Sequence, residues 1–224
     1  MNHLVFPTPV VTGQIVPTDD QFNETYAFLM QAFDRCKGGW ALETGKSTSE
    51  FQDGKALFEE PEMDWITHPL LVAVRDYWNN TVKYRKDWHL YIDSMWANLH
   101  TEGDSTGLHA HVGGARSKSH VSCVFYLQKE LNGGQLQFEN PLQQIHRMCP
   151  LHKEYDDWSR EGDDCNEYCY DWYTLDTQTF DYVIFPSWLR HRTLPYHKKE
   201  RIAISVNISG YPLDPTEGEF SELK

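Results

Sequence analysis

The sequence is short of basic charge. Against 33 Asp and Glu stand only 20 Lys and Arg, for a net charge of −13. A surface of that sign repels phosphate, which argues against nucleic acid or an anionic membrane as a partner. Long apolar runs are also missing, so no transmembrane helix is expected. The start, MNHLVFPTPVV, lacks the basic segment and long apolar stretch of a secretory leader. No leader is therefore expected, and a cytoplasmic location is the default. Cysteine is scarce and odd in number, at five. Without an export signal that count argues against structural disulfides and for free thiols or metal ligands. Internal repeats and low-complexity tracts are absent.

What is present is enough for a core. The 224 residues are 40% hydrophobic and 14% aromatic, which excludes a disordered chain. Phe22, Tyr26, Leu29 and Phe33 recur with helical spacing. Thr18-Asp19-Asp20 offers an N-cap and Gly38-Gly39 a stop. A second helix is expected to begin near Thr67-His68-Pro69, with Leu71, Val74, Trp78 and Val82 as its buried stripe. Residues 45–61 between them read as a polar loop in which Phe51, Leu57 and Phe58 could pack on the domain. From Trp88 the period changes to two. Trp88-Leu90-Ile92, Val121-Cys123-Phe125-Leu127 and Ile202-Ile204-Val206-Ile208 each alternate with other residues, as half-buried antiparallel strands do. Tyr182 to Phe185, ahead of Pro186, is a further short strand, and Gly133-Gly134 a turn. The expected fold is mainly β with N-terminal helices, a sandwich or jelly roll. It is read as one domain over 1–224: helical support over 1–87, a β core over 88–211, and an acidic insertion over 141–177 that interrupts the strands.

The chemistry concentrates in the β half. His109 and His111 stand one residue apart before a strand. If that stretch is extended, both imidazoles project to one side, the geometry for two ligands on one metal ion. His191, after Phe185-Pro186-Ser187-Trp188-Leu189, is the best third candidate. Arg201 opens the alternating run RIAISVNIS and shares a face with Ala203, Ser205 and Asn207. An arginine on an inward strand face is costly unless it meets an anion, and a small carboxylate would satisfy it. His120, further along, reads as structural or at the pocket edge.

These residues carry a resemblance. Trp96-Ala97-Asn98, Gly103, His109-Ala110-His111, Tyr126-Leu127, Gly133-Gly134-Gln135-Leu136, Phe185 to His191 and Arg201 to Asn207 are similar to the 2-oxoglutarate/Fe(II)-dependent oxygenase superfamily. The match is to its prolyl-hydroxylase-like branch of phage and bacterial proteins, and it covers most of the chain. The resemblance implies a double-stranded β-helix, a jelly roll with iron at its open end. It implies His109 and His191 as iron ligands and Arg201 as the grip on the far carboxylate of 2-oxoglutarate. Tyr126 would donate to the same carboxylate, with Asn98 and Ser205 in the pocket. His111 stands where most of the superfamily has Asp or Glu. It is either a third ligand or a group behind a two-His site. The implied reaction consumes O₂ and 2-oxoglutarate, releases succinate and CO₂, and hydroxylates a C–H of a peptide side chain or small molecule. Two other readings stay open. One is a three-His, cupin-like dioxygenase that uses no 2-oxoglutarate. The other is a non-catalytic metal-binding jelly roll.

The insertion adds a separate pattern. Cys149-x₂-His152 and Cys165-x₃-Cys169 offer four ligands with zinc-like local spacing, with His146 as a substitute. A structural zinc there would order a loop poor in apolar residues. The alternative is free thiols in a loop packed by Trp158, Tyr170, Trp172 and Tyr173.

Overall fold

The computed structural model of the chain describes residues 8–36, 45–50, 56–112, 119–142 and 171–213. Thr18 starts helix α1 (Asp19–Asp34) with a reciprocal cap. Its hydroxyl accepts from the Gln21 N–H at 3.2 Å, and the Gln21 side chain accepts from the Thr18 N–H at 2.9 Å. The helix buries Leu29, Ala32 and Phe33. It ends at Asp34, before the glycine pair at 38 and 39, which lies outside the described residues. Helix α2 (Asp64–Asp76) begins three residues earlier than its Thr-His-Pro signal. A 3₁₀ turn over Pro61–Met63 leads into it, and Pro69 sits inside without ending it. Proline forfeits one hydrogen bond there, to the carbonyl of Trp65. The buried stripe is Ile66, Leu70 and Val74, continued by Tyr77 and Trp78 in a π-helical turn. Leu57 and Phe58 pack on this core as expected; Phe51 lies outside the described residues.

Strands follow the period-two pattern. They are β1 (Val11–Gln14), β2 (Lys46–Ser47), β3 (Trp88–His100), β4 (Val121–Gln128), β5 (Leu136–Glu139), β6 (Trp172–Leu175), β7 (Asp181–Pro186), β8 (His191–Thr193) and β9 (Arg201–Pro212). Two antiparallel sheets result, one ordered β1-β7-β4-β9-β3-β2 and the other β6-β5-β8. This is the jelly-roll-like architecture that the sequence predicts. The 45–61 segment is not all loop, because Lys46–Ser47 pairs with Asn98 and Leu99 at the sheet edge. Nor is 141–177 wholly an interruption: β6 pairs along β5, with Leu136 opposite Leu175.

β3 keeps the half-buried alternation over Leu90 to Asp93, but the central strands do not. Both faces of β4 and nearly all of β9 are covered. On one face Cys123, Phe125, Leu127, Ile202, Ile204 and Val206 pack beneath α1 and α2. On the other, Val124, Tyr126 and Ala203 meet Leu136, Phe138 and Phe185, on the side of the small sheet. The space between the sheets is the one that matters. At the turn before β5, Gly134 has a φ of +58°, and a Cβ there would press on Tyr196 at 3.2 Å and on the Arg201 side chain at 3.4 Å. Only glycine allows that close approach without strain. Among the described residues no helix is long and apolar enough to cross a membrane.

Candidate active site

A bulge positions the site. β3 and β9 pair in register until the shift between Ile92 and Ser94. Before it, Leu90 and Ile92 belong to the helix-side core; beyond it, Met95, Ala97 and Leu99 do. The residues left for the inner face are Ser94, Trp96, Asn98 and His100. Their register partners on β9 are Asn207, Ser205, Ala203 and Arg201. Trp96, Asn98, His100, Tyr126, Ala203, Ser205, Asn207 and Arg201 all line one cavity of about 330 Å³.

The histidines enter this cavity from the opposite side. His109 and His191 form an antiparallel bridge, with N–H to O distances of 3.0 and 2.9 Å in the two directions. The pairing sets their rings side by side, with centroids 4.3 Å apart. The His111 N–H bonds the Ser187 carbonyl at 2.9 Å, which brings the third ring alongside. Each ring is then oriented through Nδ1. His109 Nδ1 bonds the Gly107 carbonyl at 2.8 Å, His191 Nδ1 the Leu189 carbonyl at 2.9 Å, and His111 Nδ1 the Asn207 side-chain oxygen at 2.5 Å. All three Nε2 atoms are therefore turned inward, and one ligand atom from each ring lies within 4.8 Å of the others. Among the described residues no carboxylate joins them.

Burial keeps these rings neutral. Desolvation lowers the pKa of His111 to about 4 and of His191 to about 3, and it lowers that of His109. Phe185 stands 4.7 Å from the His191 ring and Trp96 5.4 Å from the His111 ring, supplying the dry walls. With their protons on Nδ1, His109 and His111 face one another through Nε2 lone pairs 3.1 Å apart. Two neutral acceptors at that distance repel, and a shared metal cation reverses the sign. The donor set thus fits a metal ion bound by three imidazoles.

The far end of the cavity is built for an anion. Arg201 is 2% exposed, and its Nε is buried without a partner. The Tyr126 hydroxyl is equally buried and equally unpartnered, and the Arg201 guanidinium lies over its ring at 5.1 Å. A carboxylate would satisfy both donors.

The structure thus brings together His109, His111, His191, Arg201, Tyr126, Asn98 and Ser205. It keeps His120 apart: that ring sits between Trp78 and Trp88, in the structural role expected of it. His146, Cys149, His152, Cys165 and Cys169 lie outside the described residues. The sequence reading missed two contributors. His100 bonds Arg201, with its Nδ1 2.9 Å from the guanidinium Nη1. Asn207 carries the outer bond to His111, and behind it Ser122 donates to the same oxygen at 3.0 Å and meets Ser187 at 2.8 Å. The available signal for Asn207 was its place on the Arg201 face. For His100 it was the motif Trp96-Ala97-Asn98 carried two residues further.

Comparison with known proteins agrees with this geometry. The family model described as "Putative 2OG-Fe(II) oxygenase" matches residues 94–207, which begins just after the bulge and includes the three histidines and the first part of the Arg201 strand. No curated protein matches the sequence significantly. Among solved structures, the fold is similar to a Pseudomonas putida prolyl-4-hydroxylase. That match has a TM-score of 0.55 at 13% identity, over 90% of this chain and 92% of that one. It is similar to HygX from Streptomyces hygroscopicus, crystallised with nickel and 2-oxoglutarate (TM-score 0.57, 12% identity, 90% and 83% covered). It is also similar to the epimerase SnoN in complex with Fe3+, alpha ketoglutarate and nogalamycin RO (TM-score 0.57, 12% identity, 97% and 89% covered). At these identities the likeness is one of fold.

Proposed function

The chain belongs to the 2OG-Fe(II) oxygenase family, and on that premise we propose an Fe(II)- and 2-oxoglutarate-dependent dioxygenase with His109, His111 and His191 as iron ligands and Arg201 as the co-substrate grip. The observation that carries this reading is the sharing of one cavity by two unmet needs. Three imidazole Nε2 atoms converge at one end, and a buried guanidinium without an anion waits at the other.

Iron(II), when bound, supplies the O₂ chemistry that converts 2-oxoglutarate to succinate and CO₂ and oxidises a substrate C–H. The chain's own residues do the rest. Arg201 Nε and the Tyr126 hydroxyl bind the far carboxylate, which fixes the reach of the keto-acid end toward the histidines. Gly107, Leu189 and Asn207 hold the three rings in the tautomer that presents Nε2. Trp96 and Phe185 exclude water from the ligand side. Asn98 and Ser205 contact the co-substrate from the β3 and β9 wall. Hydroxylation of a peptide side chain or a small molecule is the outcome we assign. Helices, sheets and insertion are read together as one oxygenase domain. The three-His composition also suits a dioxygenase that uses no 2-oxoglutarate, but such an enzyme has no use for an unneutralised Arg201.

The test is anaerobic loading with Fe(II), addition of 2-oxoglutarate, and a visible spectrum, followed by O₂ and a succinate assay. A metal-to-ligand charge-transfer band with succinate formation is expected. Iron binding with neither band nor succinate overturns the assignment in favour of the dioxygenase without 2-oxoglutarate.

A further inference from the structure

The partner of Arg201 is unusual. A buried guanidinium normally meets a carboxylate, and this chain uses that solution nearby. Lys129, buried beside Tyr126, is paired with Asp176 at 3.1 Å and also donates to the Thr177 carbonyl. Arg201 is not treated so. Among the described residues no carboxylate lies within ion-pair distance of it, and its partner is an imidazole, His100, itself 1% exposed. An arginine can only donate, so His100 Nδ1 must accept. The ring proton then lies on Nε2, and Thr106 Oγ1, 3.3 Å away, receives it. Thr106 is fixed in turn, because its N–H bonds the Thr193 hydroxyl at 2.8 Å and its carbonyl accepts the Thr193 N–H at 3.0 Å. The backbone closes the frame, since His100 and Arg201 are direct partners across β3 and β9.

We infer that His100 is the positioning residue for co-substrate binding, an acceptor that aims the Arg201 guanidinium into the cavity without neutralising it. A carboxylate at this position would hold the guanidinium as firmly. It would also cancel the charge that attracts the 2-oxoglutarate anion. An apolar residue would leave the charge but release one of its nitrogen atoms. A neutral acceptor satisfies Nη1 and leaves Nε, with Tyr126, for the ligand. This inference rests on the oxygenase reading and deepens it at the same pocket.

The experiment is calorimetric titration of 2-oxoglutarate into the Ni(II)-loaded full chain, with nickel content and circular dichroism measured for each variant. His100→Glu is expected to weaken 2-oxoglutarate binding about 30-fold or more, although Arg201 is intact. His100→Gln, which keeps a neutral acceptor, is expected within about threefold of wild type. His100→Leu is expected to fall between them, about tenfold weaker. Nickel content should stay unchanged in all three. His100→Glu binding as tightly as wild type, or all three variants weakening alike with loss of nickel, overturns the inference. Wild-type protein that takes up no 2-oxoglutarate overturns the oxygenase reading itself, a result distinguishable from failure of the His100 variants alone.

Discussion

The two faces of the large sheet are built from the same strands and serve opposite ends. On the helix side, β4 and β9 place Cys123, Phe125, Leu127, Ile202, Ile204, Val206 and Ile208 in a continuous apolar layer. One residue along each strand, the other face carries Ser122, Tyr126, Arg201, Ser205 and Asn207, with His100 and Asn98 from β3. The helix face buries apolar area and makes no demands on a ligand. The cavity face buries a charge and a phenol without a partner, and across the cavity it meets three imidazoles, two of which face one another through Nε2 at 3.1 Å. Such a face costs stability and is retained for what it binds. Along β3, β4 and β9 the apolar layer and the cavity wall are thus separated by the period of a strand, and the histidines are brought to that wall from other segments.

The sharpest way to break the comparison is to weaken the helix face alone. Phe125→Ala removes a fully buried ring that packs edge-on to Trp65 at 5.6 Å. It should cost about 4 kcal/mol in urea unfolding, while the folded fraction keeps its metal affinity. The converse change acts on the histidines opposite the cavity face. His111→Ala should lower metal affinity about 100-fold by equilibrium competition and leave the unfolding midpoint of the metal-free protein unchanged or raised, because it removes a buried repulsion. If His111 only backs a two-His site, the affinity loss will be far smaller.

The faces also differ in response to pH. Burial and the neighbouring Arg201 lower the pKa of His100 to about 3. In the unfolded chain it titrates near the ordinary ~6.5. The stability it supports is complete above that value and is lost as pH falls through the window toward 3, because the unfolded chain takes up a proton the folded protein refuses. At pH 5 this amounts to about 2 kcal/mol. Metal-free His100→Gln should therefore lose about 2 kcal/mol less than wild type between pH 7 and pH 5, whereas variants of the helix face should leave the pH slope unchanged. The smallest effect is expected behind the ligands. Asn207→Leu keeps the volume but removes the acceptor for His111 Nδ1–H, and should weaken metal binding about tenfold.

Much of this was legible from residue order. The change of period at Trp88 marks the start of β3, and His109, His111, His191 and Arg201 all line the cavity. The phase of β3 was not legible. Trp88, Leu90 and Ile92 set an alternation that, continued, would put Met95 and Leu99 in the cavity and His100 among the helices. The bulge after Ile92 inverts it, and no turn residue announces a bulge within so even a strand. β6 escaped for another reason: Trp172-Tyr173-Thr174-Leu175 is too short to stand out beside an acidic run, and only pairing with β5 makes it a strand. The start of α2 is masked in the sequence because Pro69 suggests a first turn, whereas Asp64 and the preceding 3₁₀ turn supply the real one.

The central claim is that three neutral imidazoles facing the large sheet across the cavity, with no carboxylate, hold the iron. X-ray absorption at the iron K-edge on protein loaded anaerobically with one equivalent of Fe(II) tests it most directly, because outer-shell scattering counts imidazole rings. The account predicts three rings in wild type and two in His111→Ala, with a changed ligand set when 2-oxoglutarate is added. Two rings in wild type, unaltered by the His111 substitution, would contradict it.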